Sequence, residues 1–287
     1  MTIKLCIFGV GLIGGSFARA LKQAGKVSEI TGCSRNADHL QKAVSLGVID
    51  RYETDPAKAV ADADVIFISV PLGAIKPVLA SIKGHIKKGA IITDAGSAKA
   101  CVVQDIEAVF SEIPDNFVPG HPIAGTENSG VEASFAALYQ NRRVILTPLE
   151  NTSRPAIETI TALWQATGAH VSQMTVAQHD DVLAATSHLP HVLAFTLVES
   201  LSRLNESSAI FTYAAGGFRD FTRIASSDSV MWRDICLANK SAIISMIESF
   251  DDDLSVLKQA LQNDDGEKIL ALFTSAKQAR DDFIQQD

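Results

Sequence analysis

The chain has 287 residues, 47% hydrophobic and 20% charged, a composition that excludes a disordered protein and suffices for one large or two ordinary domains. Its formal net charge of −8 argues against nonspecific nucleic-acid binding and means that an anionic ligand needs a local cationic pocket. Four scattered cysteines, Cys6, Cys33, Cys101 and Cys236, lack any CxxC pairing and read as reduced thiols of a cytoplasmic protein. With a strand at the start and no apolar run of ~18 residues, neither a signal peptide nor a membrane span is expected.

Ile3–Phe8 reads as a buried strand, and Leu12, Phe17, Ala20 and Leu21 recur at helical spacing across Leu12–Ala24. Between them lies Gly9-x-Gly11-x-x-Gly14, a pattern that between strand and helix points to a dinucleotide phosphate. Gly9 suits the tight turn, Gly11 the approach of a pyrophosphate and Gly14 close helix–strand packing. Leu12 and Ile13 supply free N–H groups at the helix start, where the dipole favours an anion. Strands follow at Glu29–Cys33, Val65–Val70, Ala90–Ala95, Phe117–Gly120, Arg143–Pro148 and His170–Met174. Helical stretches at Asp38–Leu46, Ala74–Ile82, Ala100–Phe110 and Arg154–Ala166 separate most of them. That alternation predicts an α/β, doubly wound, mostly parallel sheet with helices on both faces and ligands beyond the carboxyl ends of its strands. Val70 and Pro71, at one such end, are expected to line the cofactor.

Beyond about Val176 the pattern turns helical, over Asp180–Leu204 and Ser229–Phe273, with a polar, glycine-bearing stretch, Tyr213–Asp228, between. The expected organisation is therefore a nucleotide-binding domain over 1–174 and an all-α domain over 175–287. The apolar helical faces are hard to bury in one small domain, which favours a homodimer. The acidic runs Asp251–Asp253 and Asp264–Asp265 read as solvated turns and caps.

Three patches concentrate polar residues. "TDAGSAK" (Thr93–Lys99) places Ser97 at a strand end, as an exposed hydroxyl beside the cofactor and, compatibly, as a helix N-cap. "PGHPIAGTENSG" (Pro119–Gly130) holds His121 in a loop after a strand, where an acid–base group of near-neutral pKa is useful, with Glu127 behind it. "SHLPH" and "GGFRDFTRIASSDSVMW" contribute His188, His191, Arg219, Asp220, Arg223 and Trp232. The two histidines are three apart, a spacing that suits one helical face or a metal pair. No metal is expected, because no suitably placed cysteine or carboxylate completes a site. The arginines suit carboxylates, although Asp220 and Arg223 could equally form a surface pair.

Taken in order along the chain, these motifs resemble the prephenate dehydrogenase family, which includes arogenate and cyclohexadienyl dehydrogenases. The resemblance implies an N-terminal Rossmann-like domain, a helical dimerisation domain, and oxidative decarboxylation of prephenate, or of arogenate, in tyrosine biosynthesis. It assigns His121 as the catalytic base or hydrogen-bond acceptor and Ser97 as the residue orienting it. Arg223 would bind a substrate carboxylate, His188 and His191 would lie near the substrate side chain, and Glu127, Asp220 and Trp232 would support the pocket. Where an NAD enzyme places an acid on the ribose diol, about 20 residues past the glycine turn, this chain has Ser34 and Arg35. That favours NADP within NAD(P) use, unless Arg35 points to solvent. Two other readings are a β-hydroxyacid-type dehydrogenase and a non-catalytic NADP-binding regulator. The helical half lacks a lysine set in a Gly- or Asn-rich stretch, which weighs against the first.

Overall fold

A computed structural model describes residues 2–126, 128–204 and 207–285. In chain order the first elements are β1 (Ile3–Phe8), α1 (Leu12–Gln23), β2 (Val27–Cys33), α2 (Ala37–Ser45), β3 (Arg51–Glu53), α3 (Pro56–Val60) and β4 (Val65–Ile68). Next come α4 (Leu72–Ile82), β5 (Ile91–Asp94), α5 (Ala100–Phe110) and β6 (Phe117–Val118). These strands form a six-stranded sheet in the order β3-β2-β1-β4-β5-β6, every pair parallel. Both faces of its centre are covered. Leu5 and Ile7 of β1 and Val65 and Phe67 of β4 enter one hydrophobic cluster, with Phe17 and Trp164. Their alternates Cys6, Phe8, Ile66 and Ile68 enter the other, with Ile75 and Val102. Burial on both faces is why these strands read as unbroken apolar runs.

The last two expected strands, and the end of the one before them, do not extend that sheet. β7 (Gly120–Pro122), β8 (Arg143–Leu146) and β9 (His170–Gln173) make a second, three-stranded sheet in which β7 runs antiparallel to β8. The predicted strand Phe117–Gly120 is thus divided at Pro119, which has no N–H to give a ladder and stands where the chain changes sheets. A 3₁₀ turn (Ala136–Tyr139) and α6 (Arg154–Ala166) complete this part. The short pair β3 and α3 had no clear sequence signal, being only 3 and 5 residues long.

The helical half comprises α7 (Val176–Leu183), a π-helical turn (Ala184–His188), α8 (Leu189–Ser202), α9 (Ser207–Thr212), α10 (Gly216–Thr222), a 3₁₀ turn (Arg223–Ser226) and α11 (Ser229–Ala238). Two long helices follow, α12 (Lys240–Gln262) and α13 (Gly266–Ile284). The expected helix Ser229–Phe273 is therefore three helices. Asp251–Asp253 is not a turn but the exposed face of α12. Asp265 does cap α13, accepting from the Lys268 N–H at 2.9 Å.

The strand-to-helix change falls near the expected boundary at 174/175, yet the chain's compact units are Met1–Lys240 and Ser241–Asp287. Helices α7 to α11 thus belong to the same unit as the sheets, with α7 tied to the sheet part by the hydrogen bonds described below. The continuous helical stretch Val176–Ser202 is long and apolar enough to cross a membrane, with a mean hydropathy of 1.2. It also carries buried Asp180, His179 and His188, which bond to other parts of the unit, a polar load suited to a helix packed in protein. All four cysteines are free thiols.

Candidate active site

The glycine turn leaves a phosphate-sized opening for physical reasons at each position. Gly9 has φ +87°, and a Cβ there would lie 2.4 Å from the Ser69 carbonyl oxygen, beside Val70. At Gly14 a Cβ would stand 2.3 Å from the Gly9 oxygen, so only glycine lets α1 approach β1 this closely. A Cβ on Gly11, by contrast, would point into open space. Gly11 is the N-cap of α1, and no side chain caps that helix end or puts an acid in its first turn. An uncapped helix start with open space over it fits a dinucleotide pyrophosphate. Val70 packs at the turn, and Pro71 is the N-cap of α4. Ser34 and Arg35 lie at the end of β2. The Ser34 hydroxyl accepts from the Asn36 N–H, and Arg35 is exposed with no ion-pair partner among the described residues. The acids near this strand end, Glu53 and Asp55, are engaged with Arg51 and with the start of α3.

At the carboxyl end of β5 a buried ion pair ties two loops together. Asp94 and Lys99 are both fully buried and bonded to each other. The Asp94 carboxylate accepts from the N–H of Gly96 (2.7 Å) and of Gly120 (3.1 Å), while Lys99 Nζ donates to the Gly120 carbonyl (2.7 Å). One salt bridge thereby holds the residue before Ser97 and the residue before His121. Ser97 itself is half-buried and does not cap α5. That task falls to Asp180 of α7, whose two carboxylate oxygens accept from the N–H of Lys99 (2.8 Å) and Ala100 (2.9 Å).

Asp180 also anchors a file of imidazoles. Its Oδ1 lies 2.7 Å from His179 Nδ1, and His179 Nε2 lies 2.9 Å from His121 Nδ1. Burial pushes His121 well below the ordinary histidine range, and the neighbouring His179, Lys99 and His188 add to the effect. Burial lowers His179 as well, against the opposing pull of Asp180. For Asp180, burial acts upward, but the bonds from His179, Ala100 and Lys99 carry its carboxyl below the usual range. The result is a neutral imidazole pair ending on an ionised carboxylate.

The π turn brings His188 beside this file. Pro190, just after it, cannot donate to a carbonyl one turn back, so the regular ladder breaks there. His188 is 1% exposed and burial pushes its pKa down to about 4. Asn239 Nδ2 sits 3.2 Å from its Nδ1 and donates to the Asp180 main-chain oxygen at 2.7 Å. His188 Nε2 is buried without a hydrogen-bond partner among the described residues. His191 stacks on Trp232 at 3.7 Å and bonds through Nδ1 to the Ser187 carbonyl. Its pKa is lowered by burial first and then by the nearby Arg223 guanidinium.

Of the residues singled out in the sequence, the fold thus gathers His121, His188, His191, Trp232 and Arg223, with the Ser97 backbone acting on His188. Asp220 is an exposed residue of α10, and Glu127 lies outside the described residues. Sequence reasoning missed the roles of Asp94, Lys99, His179, Asp180 and Asn239. The first two stood inside "TDAGSAK", and the other three carry no motif.

A doubly wound sheet, a glycine turn shaped for a dinucleotide and a buried neutral histidine at the sheet's carboxyl edge define an NAD(P)-dependent oxidoreductase. Comparison with known proteins narrows this. Family models match residues 17–173 as "Prephenate dehydrogenase, nucleotide-binding domain" and 175–275 as "Prephenate dehydrogenase, dimerization domain". The chain therefore belongs to the prephenate dehydrogenase family. It is 38% identical to the cyclohexadienyl dehydrogenase of Zymomonas mobilis, over 96% of this chain and 94% of that one. It is 35% identical to the prephenate dehydrogenase of Bacillus subtilis, over 98% and 76% respectively. The Aquifex aeolicus prephenate dehydrogenase, solved with hydroxyphenyl propionate and NAD+, superposes with a TM-score of 0.92 at 37% identity, covering 99% of both chains.

Proposed function

We propose that this enzyme converts prephenate to 4-hydroxyphenylpyruvate by oxidative decarboxylation in cytoplasmic tyrosine biosynthesis, with arogenate as the alternative substrate. A bound nicotinamide supplies the hydride acceptor. The carrying observation is His121, a buried imidazole kept neutral at the edge of the sheet and therefore able to take the proton of the ring 4-hydroxyl. Loss of the ring carboxylate as CO₂ restores aromaticity, so the driving force lies in the substrate. What the protein adds is orientation and charge complementarity. Arg223, beside the stacked His191–Trp232 pair, is suited to a substrate carboxylate, and this local charge reconciles an acidic chain with an anionic substrate. Ser97 orients the reacting hydroxyl. Glu127 and Asp220 are assigned as supporting pocket residues by family resemblance alone.

For the nucleotide, exposed Arg35 and half-buried Ser34 at the end of β2 support a 2′-phosphate and hence NADP over NAD. A homodimer is supported by the family match over 175–275 and by exposed Leu254, Leu261, Leu270, Phe273 and Phe283 on α12 and α13. The test is turnover of prephenate and of arogenate with each nucleotide, read as reduced-nucleotide absorbance. Formation of 4-hydroxyphenylpyruvate supports the assignment, and no turnover with either nucleotide overturns it.

A further inference from the structure

We infer that Asp180 and Asn239 fix opposite tautomers on two buried histidines, making Nε2 of His121 a hydrogen-bond acceptor and Nε2 of His188 a donor. The reasoning runs outward from groups whose polarity is unambiguous. The Asp180 carboxylate is held ionised by the backbone N–H of Lys99 and Ala100 and can only accept. His179 Nδ1, 2.7 Å away, must therefore carry a proton. Since His179 is neutral, its Nε2 presents a lone pair, and His121 Nδ1 at 2.9 Å must donate to it. That leaves the lone pair of His121 on Nε2.

The second assignment starts at a main-chain carbonyl. The Asp180 oxygen accepts from Asn239 Nδ2 at 2.7 Å, which fixes which way the amide points. The same NH₂ group lies 3.2 Å from His188 Nδ1, so that nitrogen accepts and the proton of His188 sits on Nε2, the buried atom without a partner. Residue 180 thus sets both rings, one through its carboxylate and one through its carbonyl. In the proposed reaction, on which this use of the pair rests, the acceptor of His121 meets the substrate hydroxyl, while the enclosed donor of His188 holds its ring beside the Ser97 main chain. His179, Asp180 and Asn239 act as positioning residues.

The experiment is a long-range ¹H–¹⁵N ring correlation on ¹⁵N-histidine-labelled, ligand-free full-length protein near neutral pH. The expected spectrum shows His121 protonated on Nδ1 and His188 on Nε2. Protonation of His121 on Nε2, of His188 on Nδ1, or of both nitrogens of either ring overturns the inference. Asp180→Asn should mix or invert the His121 tautomers and lower kcat at least tenfold while the nucleotide KM stays unchanged. Asn239→Asp, which places a carboxylate against His188 Nδ1, should move the His188 proton onto that nitrogen. An unaltered tautomer in either folded variant refutes the corresponding half. If Asp180→Asn does not fold, the wild-type spectrum and Asn239→Asp still decide the matter. Wild-type protein that fails to turn over prephenate would count against the proposed function, while the spectrum would still decide the tautomers.

Discussion

His121 combines three properties that no other described side chain shares: burial, neutrality and attachment to a carboxylate through a second imidazole. A proton acceptor placed this way is worth about 10²–10⁴ in rate. His121→Asn removes the ring nitrogen that takes the proton and leaves the glycine turn untouched. We therefore expect kcat to fall by about 10²–10⁴ with the nucleotide Kd unchanged. Steady-state kinetics and nucleotide titration check it, and near-wild-type turnover would remove His121 from the mechanism. The histidine was legible in the sequence from its place after a strand and its family motif, although it stands on strand β7, paired with Ile145, and not in the expected loop. Its support was not, because His179 and Asp180 read as ordinary polar positions on an apolar helix, and only their contact with α5 and β7 gives them a task.

At the scale of elements, the turn between β1 and α1 separates packing from binding. At Gly14 an added methyl meets backbone at 2.3 Å, whereas at Gly11 it meets nothing. Gly14→Ala should therefore lower stability by about 1–3 kcal/mol, the usual cost of overpacking, and weaken nucleotide binding with it. Gly11→Ala should leave the melting temperature nearly unchanged but weaken nucleotide binding, because its methyl occupies the phosphate's opening. Thermal melts and nucleotide titrations on both variants test the pair, and equal loss of stability in the two would show that the opening is not a binding feature. The turn after β2 carries a separate expectation. Ser34→Asp with Arg35→Ala should reverse the order of kcat/KM for NADP and NAD, since a carboxylate accepts from a ribose diol and repels a phosphate. A wild-type enzyme that prefers NAD would instead mean that Arg35 faces away.

On the scale of the whole molecule, the cluster of neutral histidines links stability to pH. His121, His179, His188 and His191 all have folded pKa values below the ordinary value, His188 at about 4. Below about pH 6.5 the unfolded chain binds protons that the folded one refuses, so stability is full above that pH and falls as pH drops. His188 alone accounts for a loss of about 2–3 kcal/mol by pH ~4.5. In a chain of this size that lowers the melting temperature by roughly 4–12 °C between pH ~7.5 and ~4.5. A melting temperature constant over that interval would show that the histidines protonate freely in the folded protein.

The sequence by itself determined the parallel sheet, the glycine turn and the family, because each is written in local signals: apolar runs, residue spacing and contiguous motifs. It also marked Ser97, His121, His188, His191 and Arg223 as the residues to watch. Only the tertiary structure decided that β7, β8 and β9 form a separate sheet, since strand pairing depends on partners far along the chain. The same holds for the capping of α5 by Asp180, 80 residues away, and for the shared hold of Asp94 and Lys99 on two loops. Burial is the physical reason in each case. A carboxylate or imidazole acquires its charge state, its tautomer and its partner from the groups that surround it after folding, and a linear pattern of residue types does not encode that enclosure.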